Sequence, residues 1–216
     1  GIVHIDASES HMINHRHMDV FFDSPLIGMK VAEQIQMEPI LLSWKEGVRD
    51  YHSVFIVPID SNITLENLDG KTIVFEDEES TSGYLLPRTH LENIFYNLKS
   101  YKLKYLFSED DENTPIWVLE GKGDLGVVSN LDFEDTPENI KNKLKIIEST
   151  NTIPRQLVIV KSELESKFEI KDILLEMNNS ELGKEVLKKI SRTSQFSEID
   201  KEKDLVEIRK LLEMIN

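Results

Sequence analysis

Residues 74–95 read VFEDEESTSGYLLPRTHLENIF and contain the pattern on which the fold prediction depends. An apolar run ends, an acidic loop follows, and three consecutive hydroxyl residues, Ser80, Thr81 and Ser82, precede a helical pattern. Backbone N–H groups without intrahelical acceptors meet the positive end of the helix dipole at such a junction. The hydroxyls add rotatable donors, and Gly83 lets a ligand approach the backbone. The segment predicts an anion site; the plain alternative is that Ser80 or Ser82 is only an N-cap.

Apolar runs rich in Val, Ile and Phe recur on both sides of this segment and predict short buried strands, with helical patterns between them. The predicted strands are 18–22, 39–42, 53–57, 72–75, 125–128 and 157–160. The predicted helices are 25–34, 85–98, 114–119, 162–177, 181–190 and 201–215. Alternation of strands and helices favours an α/β fold with parallel, doubly wound sheets.

Composition restricts the classes of function. The chain has 216 residues, of which 39% are hydrophobic, enough for one substantial core or two small ones. Acidic residues outnumber basic ones by 40 to 25, and the net charge of −15 argues against nucleic acid and anionic membrane surfaces as partners. The absence of cysteine excludes disulfides and thiolate chemistry. Apolar stretches such as 157–160 are far shorter than the ~20 residues that span a bilayer, so we expect a soluble chain from which any targeting segment has been removed.

The first residues, GIVHIDASESHM, allow two interpretations. The SHM sequence is typical of a cloning remnant, so residues 1–12 can be tag-derived. Alternatively, residues 2–5 form a strand and Ser8 or Ser10 caps a helix. The sequence leaves both interpretations open.

The segment STSGYLLPR at 80–88 resembles the STSGY motif of the phosphate, phosphite and phosphonate substrate-binding proteins of ABC transporters. Four further blocks resemble that family in the same order. They are DVFFDSPLIGMKVAEQ at 19–34, DYHSVFIVPIDSNITLENLDGKTIVF at 50–75, ENTPIWVLEGKGDLGVVSN at 112–130 and IPRQLVIVKSEL at 153–164. The resemblance extends over most of residues 18–198, but the strand, helix and second strand that usually precede the strand at Asp19 have only a short segment in their place.

The resemblance implies an α/β, type 2 periplasmic-binding-protein-like fold, in which two lobes with mixed or parallel sheets are joined by hinge strands and close on a small oxyanion. We expect residues 1–57 and 157–216 to form the first lobe and 58–156 the second, with crossings near Val57 and Pro154. It also implies an extracytoplasmic protein, periplasmic or anchored at the cell surface, that delivers a phosphate- or phosphonate-like ligand to an ABC permease without a cofactor. The alternative is the extracellular sensor domain of a histidine kinase or a related receptor.

Two further candidate residues lie at the predicted strand ends. Tyr51 stands where the family presents an aromatic residue to the ligand, although it can equally pack at a hinge. Ser24, followed by Pro25, places a hydroxyl and unpaired N–H groups at a second strand-to-helix turn. A plain N-cap is the other interpretation of Ser24, and Asp23 beside it would repel a dianion.

The resemblance adds three polar candidates. It places a ligand-facing residue near Asp111, where relatives often carry His; an acidic first helical turn is the alternative. Asn130 follows a predicted strand, at the end where open sheets bind ligands. Arg155 stands where many relatives carry Asn, and its guanidinium can pair with an oxyanion or with an ordinary acidic partner.

No enzyme class is indicated. The histidines at 4, 11, 15 and 17 lack metal-site spacing, and His52 and His90 are isolated. Hydrolase, Walker and dinucleotide fingerprints are also absent from the sequence. We therefore expect reversible binding without catalysis or metal.

Overall fold

The computed structural model describes residues 18–95, 97–190 and 193–215. The chain forms two compact units. Residues up to Asp50 and from Ile153 onward belong to the first unit, and Tyr51–Thr152 form the second. The predicted division of the chain into two α/β parts is confirmed. The alternatives for residues 1–12 lie outside the described residues.

The regular elements follow one another in an alternating α/β order. In chain order they are β1 (Val20–Asp23), α1 (Pro25–Ile35), β2 (Met37–Lys45), β3 (Asp50–Tyr51), β4 (Ser53–Pro58), a 3-10 turn (Leu65–Asn67), β5 (Thr72–Phe75), a π-helical turn (Thr81–Leu85), α2 (Leu86–Ile94), a 3-10 turn (Leu98–Ser100), β6 (Lys104–Phe107), α3 (Asn113–Leu119), β7 (Leu125–Ser129), α4 (Asn130–Asp135), α5 (Glu138–Lys141), β8 (Leu144–Ser149), β9 (Ile153–Pro154), β10 (Gln156–Lys161), α6 (Lys167–Glu176), a 3-10 turn (Met177–Asn179), α7 (Glu181–Lys188), β11 (Thr193–Glu198) and α8 (Val206–Ile215).

The sheet of the first unit has the order β1-β10-β2-β11, and each described pair is antiparallel. Pro39 cannot donate to the ladder, and the pairing of β2 with β10 shifts register there, between Val158 and Ile159. Both faces bury apolar side chains. The buried cluster on one face includes Val31 of α1 and Leu42 of β2. The buried cluster on the other face includes Leu41, Val158, Leu174, Leu187 and Phe196.

The sheet of the second unit has the order β6-β5-β7-β4-β8. Strands β6, β5 and β7 are parallel, whereas β4 is antiparallel to both β7 and β8. Phe55 and Phe75 are fully buried in its larger core, and Val54 and Ile56 face a second cluster that includes Val118. This sheet therefore has a packed layer on each face.

The expectation of parallel, doubly wound sheets is correct only for β6, β5 and β7. The chain enters the second unit beside the carboxyl ends of β5 and β7, so β4 must run in the opposite direction. In the first unit β10 starts at the edge where β2 ends, and the two strands are consequently antiparallel. The sheet of the second unit is therefore mixed, and the fold as a whole combines parallel and antiparallel pairs, as the family resemblance implied.

Within the two larger sheets, three strands were not predicted, namely β6, β8 and β11, and each lies at a sheet edge; the short pair β3 and β9 was not predicted either. Edge strands carry more polar side chains and lack the continuous apolar run that identified the central strands. Two predicted helices start later than expected, at Lys167 and Val206. Before Val206, the carboxylate of Asp200 accepts the N–H groups of Glu202 and Lys203 and forms a turn instead.

The predicted unit boundaries also need correction. The sequence placed the crossings near Val57 and Pro154, but β4 lies wholly within the second sheet, and β9 and Arg155 belong to the first unit. The short strands β3 and β9 pair with each other as a separate two-stranded sheet. The apolar run of β4 is a core strand, and the crossing is the short polar segment before it.

Arg49 anchors this end of the first unit. Its guanidinium donates to Asp50 and, at 2.7 Å, to the carboxylate of Asp204, while its carbonyl oxygen accepts the N–H of Arg155 at 2.9 Å. The Asp204 side chain is only 5% exposed, whereas that of Asp50 is 31% exposed. The pair with Asp204 therefore contributes more to stability than the pair with Asp50.

We predict that Arg49→Met lowers the free energy of unfolding by about 1.5–3 kcal/mol, because it leaves the buried Asp204 carboxylate without its charged donor. The matched control is Asp50→Asn, which removes the exposed partner and should change stability by less than about 1 kcal/mol. Urea denaturation of both variants measures the difference. Equal losses in the two variants would contradict this assignment.

Candidate functional site

The candidate site lies at one edge of the second sheet, where β5, β6 and β7 end together because they run parallel. The register Ser53↔Ser129 brings the start of β4 to the same edge. The loops after these strands hold the hydroxyl segment, an acidic segment and Asn130. Sequence reasoning placed candidates in each of these loops, and the sheet brings their backbones to one edge.

The hydroxyl segment begins helix α2 through a π-helical turn, a geometry that is frequent at functional sites. Leu85 N–H donates to the carbonyl oxygen of Ser80 at 3.0 Å, and Leu86 N–H to that of Thr81. Within residues 18–95, 97–190 and 193–215, no hydrogen bond uses the N–H groups or hydroxyls of Thr81 and Ser82. These four donors, termed the cradle below, can therefore bind an external acceptor.

Ser80 has a different role. Its hydroxyl oxygen accepts the N–H of Gly83 at 2.9 Å, and its O–H group donates to the Glu76 carboxylate at 2.6 Å. Ser80 is therefore the N-cap, which was the plain alternative for this residue. A direct contact between Ser80 and a ligand stays a prediction, as do the ligand contacts of Thr81 and Ser82.

Gly83 and Tyr84 explain the rest of the STSGY motif. A Cβ atom at position 83 would lie 2.5 Å from Cβ of Glu76 and 2.8 Å from Oγ of Ser80. Tyr84 is buried beneath the turn, with its ring 5.0 Å from that of Phe75 in an edge-to-face arrangement. Its hydroxyl accepts a hydrogen bond from Arg88 at 2.8 Å. Glycine permits the close approach, and tyrosine fixes the turn on the core.

The start of β4 is bound to the same turn. Ser53 donates its hydroxyl to the carbonyl oxygen of Ser82 at 2.6 Å. Asn130 forms a pair of hydrogen bonds with His52: its N–H donates to the His52 carbonyl at 2.8 Å, and its side-chain oxygen accepts the His52 N–H at 2.9 Å. Asn130 therefore positions the segment that carries Tyr51, which is half-buried. Contact of either residue with a ligand stays a prediction.

Carboxylates surround this edge. Burial, together with the neighbouring Asp132, Asp110 and Glu76, raises the pKa of Asp111 to about 6. Asp132 accepts a short hydrogen bond from the hydroxyl of Ser129, the residue that caps α4. Asp111 follows β6 as the resemblance implied, but its surroundings are acidic, so an ionised Asp111 would oppose an anion.

Among the described residues there is no group of three or more His, Cys, Asp or Glu side chains placed to hold a metal ion. His52 contributes its main chain, and His90 packs against the Phe55 ring with centroids 6.0 Å apart. The histidines before Met18 lie outside the described residues.

Ser24 and Arg155 belong to the first unit. Ser24 precedes α1, its N–H donates to the Asp23 carboxylate at 2.6 Å, and burial raises the pKa of Asp23. Within the described part of the chain, the buried Ser24 hydroxyl has no hydrogen-bond partner. Arg155 precedes β10 and donates its N–H to the Arg49 carbonyl. The register Asp23↔Leu157 puts Ser24 and Arg155 at the same end of this sheet, and their ligand contacts stay predictions.

A cavity of about 280 Å³ occurs in the first unit. Its lining includes Gln36, Met37 and Lys161, at the end of the sheet where β2 begins and β10 ends. Ser24 and Arg155 lie at the opposite end of these strands. The cavity is therefore separate from the predicted site residues.

Sequence reasoning missed Glu76, Asp132 and Ser53. Glu76 directly follows β5 and stands four residues before Ser80, a spacing that could have indicated their contact. Ser53 looked like the first residue of a buried strand, which it is. Asp132 reaches this edge only because β7 lies beside β5, and no local signal predicts that neighbour.

The fold and this edge define a two-unit α/β binding protein with neutral donors at a helix start. A family model described as the periplasmic substrate-binding protein of an ABC phosphonate transporter matches residues 9–204. The chain therefore belongs to this family, as its sequence blocks indicated. It is a family of transport proteins rather than enzymes, and its description implies an extracytoplasmic location. No helix in the described ranges is long and apolar enough to cross a membrane.

Several solved structures share the fold. XAC2383 from Xanthomonas citri bound to chloride has a TM-score of 0.80 and 23% identity, with 95% of this chain and 82% of that chain covered; its complex with ATP gives 0.79. PhnD1 from Prochlorococcus marinus in complex with methylphosphonate gives 0.68 at 20% identity, with 96% and 82% covered. A binding protein component of an ABC phosphonate transporter from Pseudomonas aeruginosa gives 0.64 at 22%, with 95% and 72% covered. At these identities the likeness establishes the fold alone.

We predict that Gly83→Ala destabilises the protein, because the new Cβ must displace Glu76 and Ser80. The cost of overpacking, about 1–3 kcal/mol, exceeds the gain of up to about 1 kcal/mol from the helix propensity of alanine. Urea denaturation measures it. Asn93→Ala, at an exposed position of α2, is the control and should stay within about 0.5 kcal/mol of the parent. A Gly83→Ala variant as stable as the control would show that the close approach is not required.

A second prediction concerns pH. Because the folded-state pKa of Asp111 is raised from 3.8 to about 6, its contribution to stability is fully present below about pH 4 and is lost as the pH rises through 6. Asp111→Asn should therefore be more stable than the ligand-free parent at pH 7, and the difference should vanish near pH 4. Thermal unfolding from pH 4 to 8 measures the two curves. The control Asp60→Asn removes the same charge at an exposed position, and its curve of stability against pH should run parallel to that of the parent. A parallel curve for Asp111→Asn would contradict the raised pKa of Asp111.

Proposed function

We propose that this protein captures a small tetrahedral oxyanion of the phosphate or phosphonate class and delivers it to an ABC permease. The observation that carries the proposal is the cradle, whose backbone N–H groups and hydroxyls at Thr81 and Ser82 have no acceptor within the described chain. An oxyanion supplies the acceptors that these donors lack, and helix starts favour negative charge. Family membership supports a transported ligand, and it favours transport over the sensor alternative.

Binding by neutral donors fits the overall charge of the protein. A chain with a net charge of −15 gains nothing from long-range attraction of an anion. Short hydrogen bonds to a charged acceptor contribute about 1.5–3 kcal/mol each, and micromolar affinity requires about 8 kcal/mol after the costs of association. Several donors must therefore act together. Tyr51, Ser24 and Arg155 are the further residues that we propose as ligand contacts.

The test is a ligand-induced shift of thermal unfolding with methylphosphonate, phosphate and phosphite as probes. At least one of them should raise the melting temperature of the parent. The double variant Thr81→Val/Ser82→Ala removes both hydroxyls of the cradle. Each lost hydroxyl should weaken binding by about ten- to hundredfold, because each hydrogen bond is made to a charged acceptor. The variant keeps both N–H donors and should fold.

The matched control is Ser166→Ala, which removes the hydroxyl of a serine before a helix in the first unit that makes no capping hydrogen bond. It should bind as the parent does. The proposal fails if none of the three anions stabilises the parent, or if the double variant retains the affinity of the parent.

A further inference from the structure

Hydrogen bonds and close packing hold Glu76 against the π-helical turn. It directly follows β5, its carbonyl oxygen accepts the N–H of Glu109 at 2.8 Å, and its N–H points to the carbonyl of Gly83 at 3.4 Å. Its carboxylate accepts the Ser80 hydroxyl at 2.6 Å and packs against the Cα of Gly83 so closely that a Cβ there would collide with it. The carboxylate therefore cannot move away from the turn without breaking these contacts.

The hydrogen bonding of Ser80 makes Glu76 a competitor of any anionic ligand. A hydroxyl has one proton to donate and two lone pairs that accept. The proton of Ser80 is directed to Glu76, and one lone pair accepts the N–H of Gly83. The ionised oxygens of an oxyanion are acceptors, so Ser80 can donate to one of them only if Glu76 no longer requires its proton.

The charges around Glu76 oppose its ionisation. Burial raises the pKa of Glu76, the Ser80 hydrogen bond lowers it, and Asp77, Asp132 and Asp110 raise it again. Asp111, on the same loop as Asp110, also interacts with it. The groups that face Glu76 come from its own loop, from the loop after β6 and from α4, and each of them is a carboxylate. An incoming anion adds negative charge to this cluster.

We infer that Glu76 is a specificity-determining residue that couples anion binding to the uptake of one proton, an inference that rests on the proposed function. When a proton from solvent reaches Glu76, the carboxyl O–H donates to the second lone pair of Ser80, and the Ser80 O–H turns to the ligand. Every donor is then satisfied. With Glu76 ionised, the ligand loses the Ser80 donor and faces an additional negative charge. The site therefore prefers low pH and anions of low charge.

Calorimetric titration with methylphosphonate, phosphate and phosphite from pH 5 to 8.5 tests this inference. One coupled proton weakens binding by up to about tenfold per pH unit above the pKa of Glu76, in addition to the dependence from the ionisation of the ligand. Glu76→Gln supplies an amide donor to Ser80 at every pH. This variant should lose the part of the pH dependence of affinity that comes from Glu76. At pH 8 it should bind the anion at least about tenfold more tightly than the parent does. Glu78→Gln removes the same charge from an exposed position of the same loop and should keep the parent slope.

A double-mutant cycle tests the contact itself. At pH 8, Ser80→Ala removes the cap of the turn in both backgrounds, but it should weaken binding about tenfold more in the Glu76→Gln background, where the hydroxyl donates to the ligand, than in the parent, where it donates to Glu76. Calorimetry of the parent in two buffers with different ionisation enthalpies counts the protons directly and does not depend on the folding of any variant. Two results would overturn this inference while the proposed function stands. One is a proton uptake that the ionisation of the ligand explains by itself. The other is a Glu76→Gln variant whose affinity depends on pH as steeply as that of the parent. A parent that binds none of the three anions at any pH overturns both.

Discussion

The first turn of the helix after β5 carries N–H groups that no intrahelical carbonyl can accept, and the second unit is arranged around that constraint. Ser80 satisfies one of them, at Gly83, and its carbonyl accepts from Tyr84 and Leu85 as the chain enters the π-helical turn. Two N–H groups and two hydroxyls, at Thr81 and Ser82, have no acceptor among the residues that the structure describes. Tyr84 fixes the turn on the core, and the Ser53 hydroxyl holds it to β4.

Electrostatics is the basis of the selectivity that we propose for this edge. The cradle consists of neutral dipoles, which act at short range and are little screened by salt. The charged groups beside it are carboxylates, and burial raises the pKa values of both Glu76 and Asp111. In the function that we propose, hydrogen bonds hold the anion, while the carboxylates discriminate against excess negative charge. A binding protein that must also release its ligand benefits from donors strong enough to capture the anion and neighbours that limit its affinity.

Parts of the fold were predictable because local pattern and tertiary environment agree. The central strands β4, β7 and β10 are almost entirely buried, so a continuous apolar run identified each of them. The edge strands β6, β8 and β11 are partly exposed, and their polar residues concealed them. The crossing between lobes was placed near Val57, although β4 is buried on both faces and lies inside the sheet of the second unit.

The sequence alone determined the class of the protein, because five blocks resemble one family in the same order. It also determined the strand-to-helix junction that carries the cradle, because that junction depends on residues within a few positions of one another. The tertiary structure decided the direction of β4 and β10 and the gathering of Glu76, Asp111 and Asp132 at one edge. Those three carboxylates are far apart along the chain and meet only because β5, β6 and β7 pair in parallel and end together. Whether a neighbouring charge supports or opposes an anion depends on the distance between them in space, and that distance cannot be read from the order of residues along the chain.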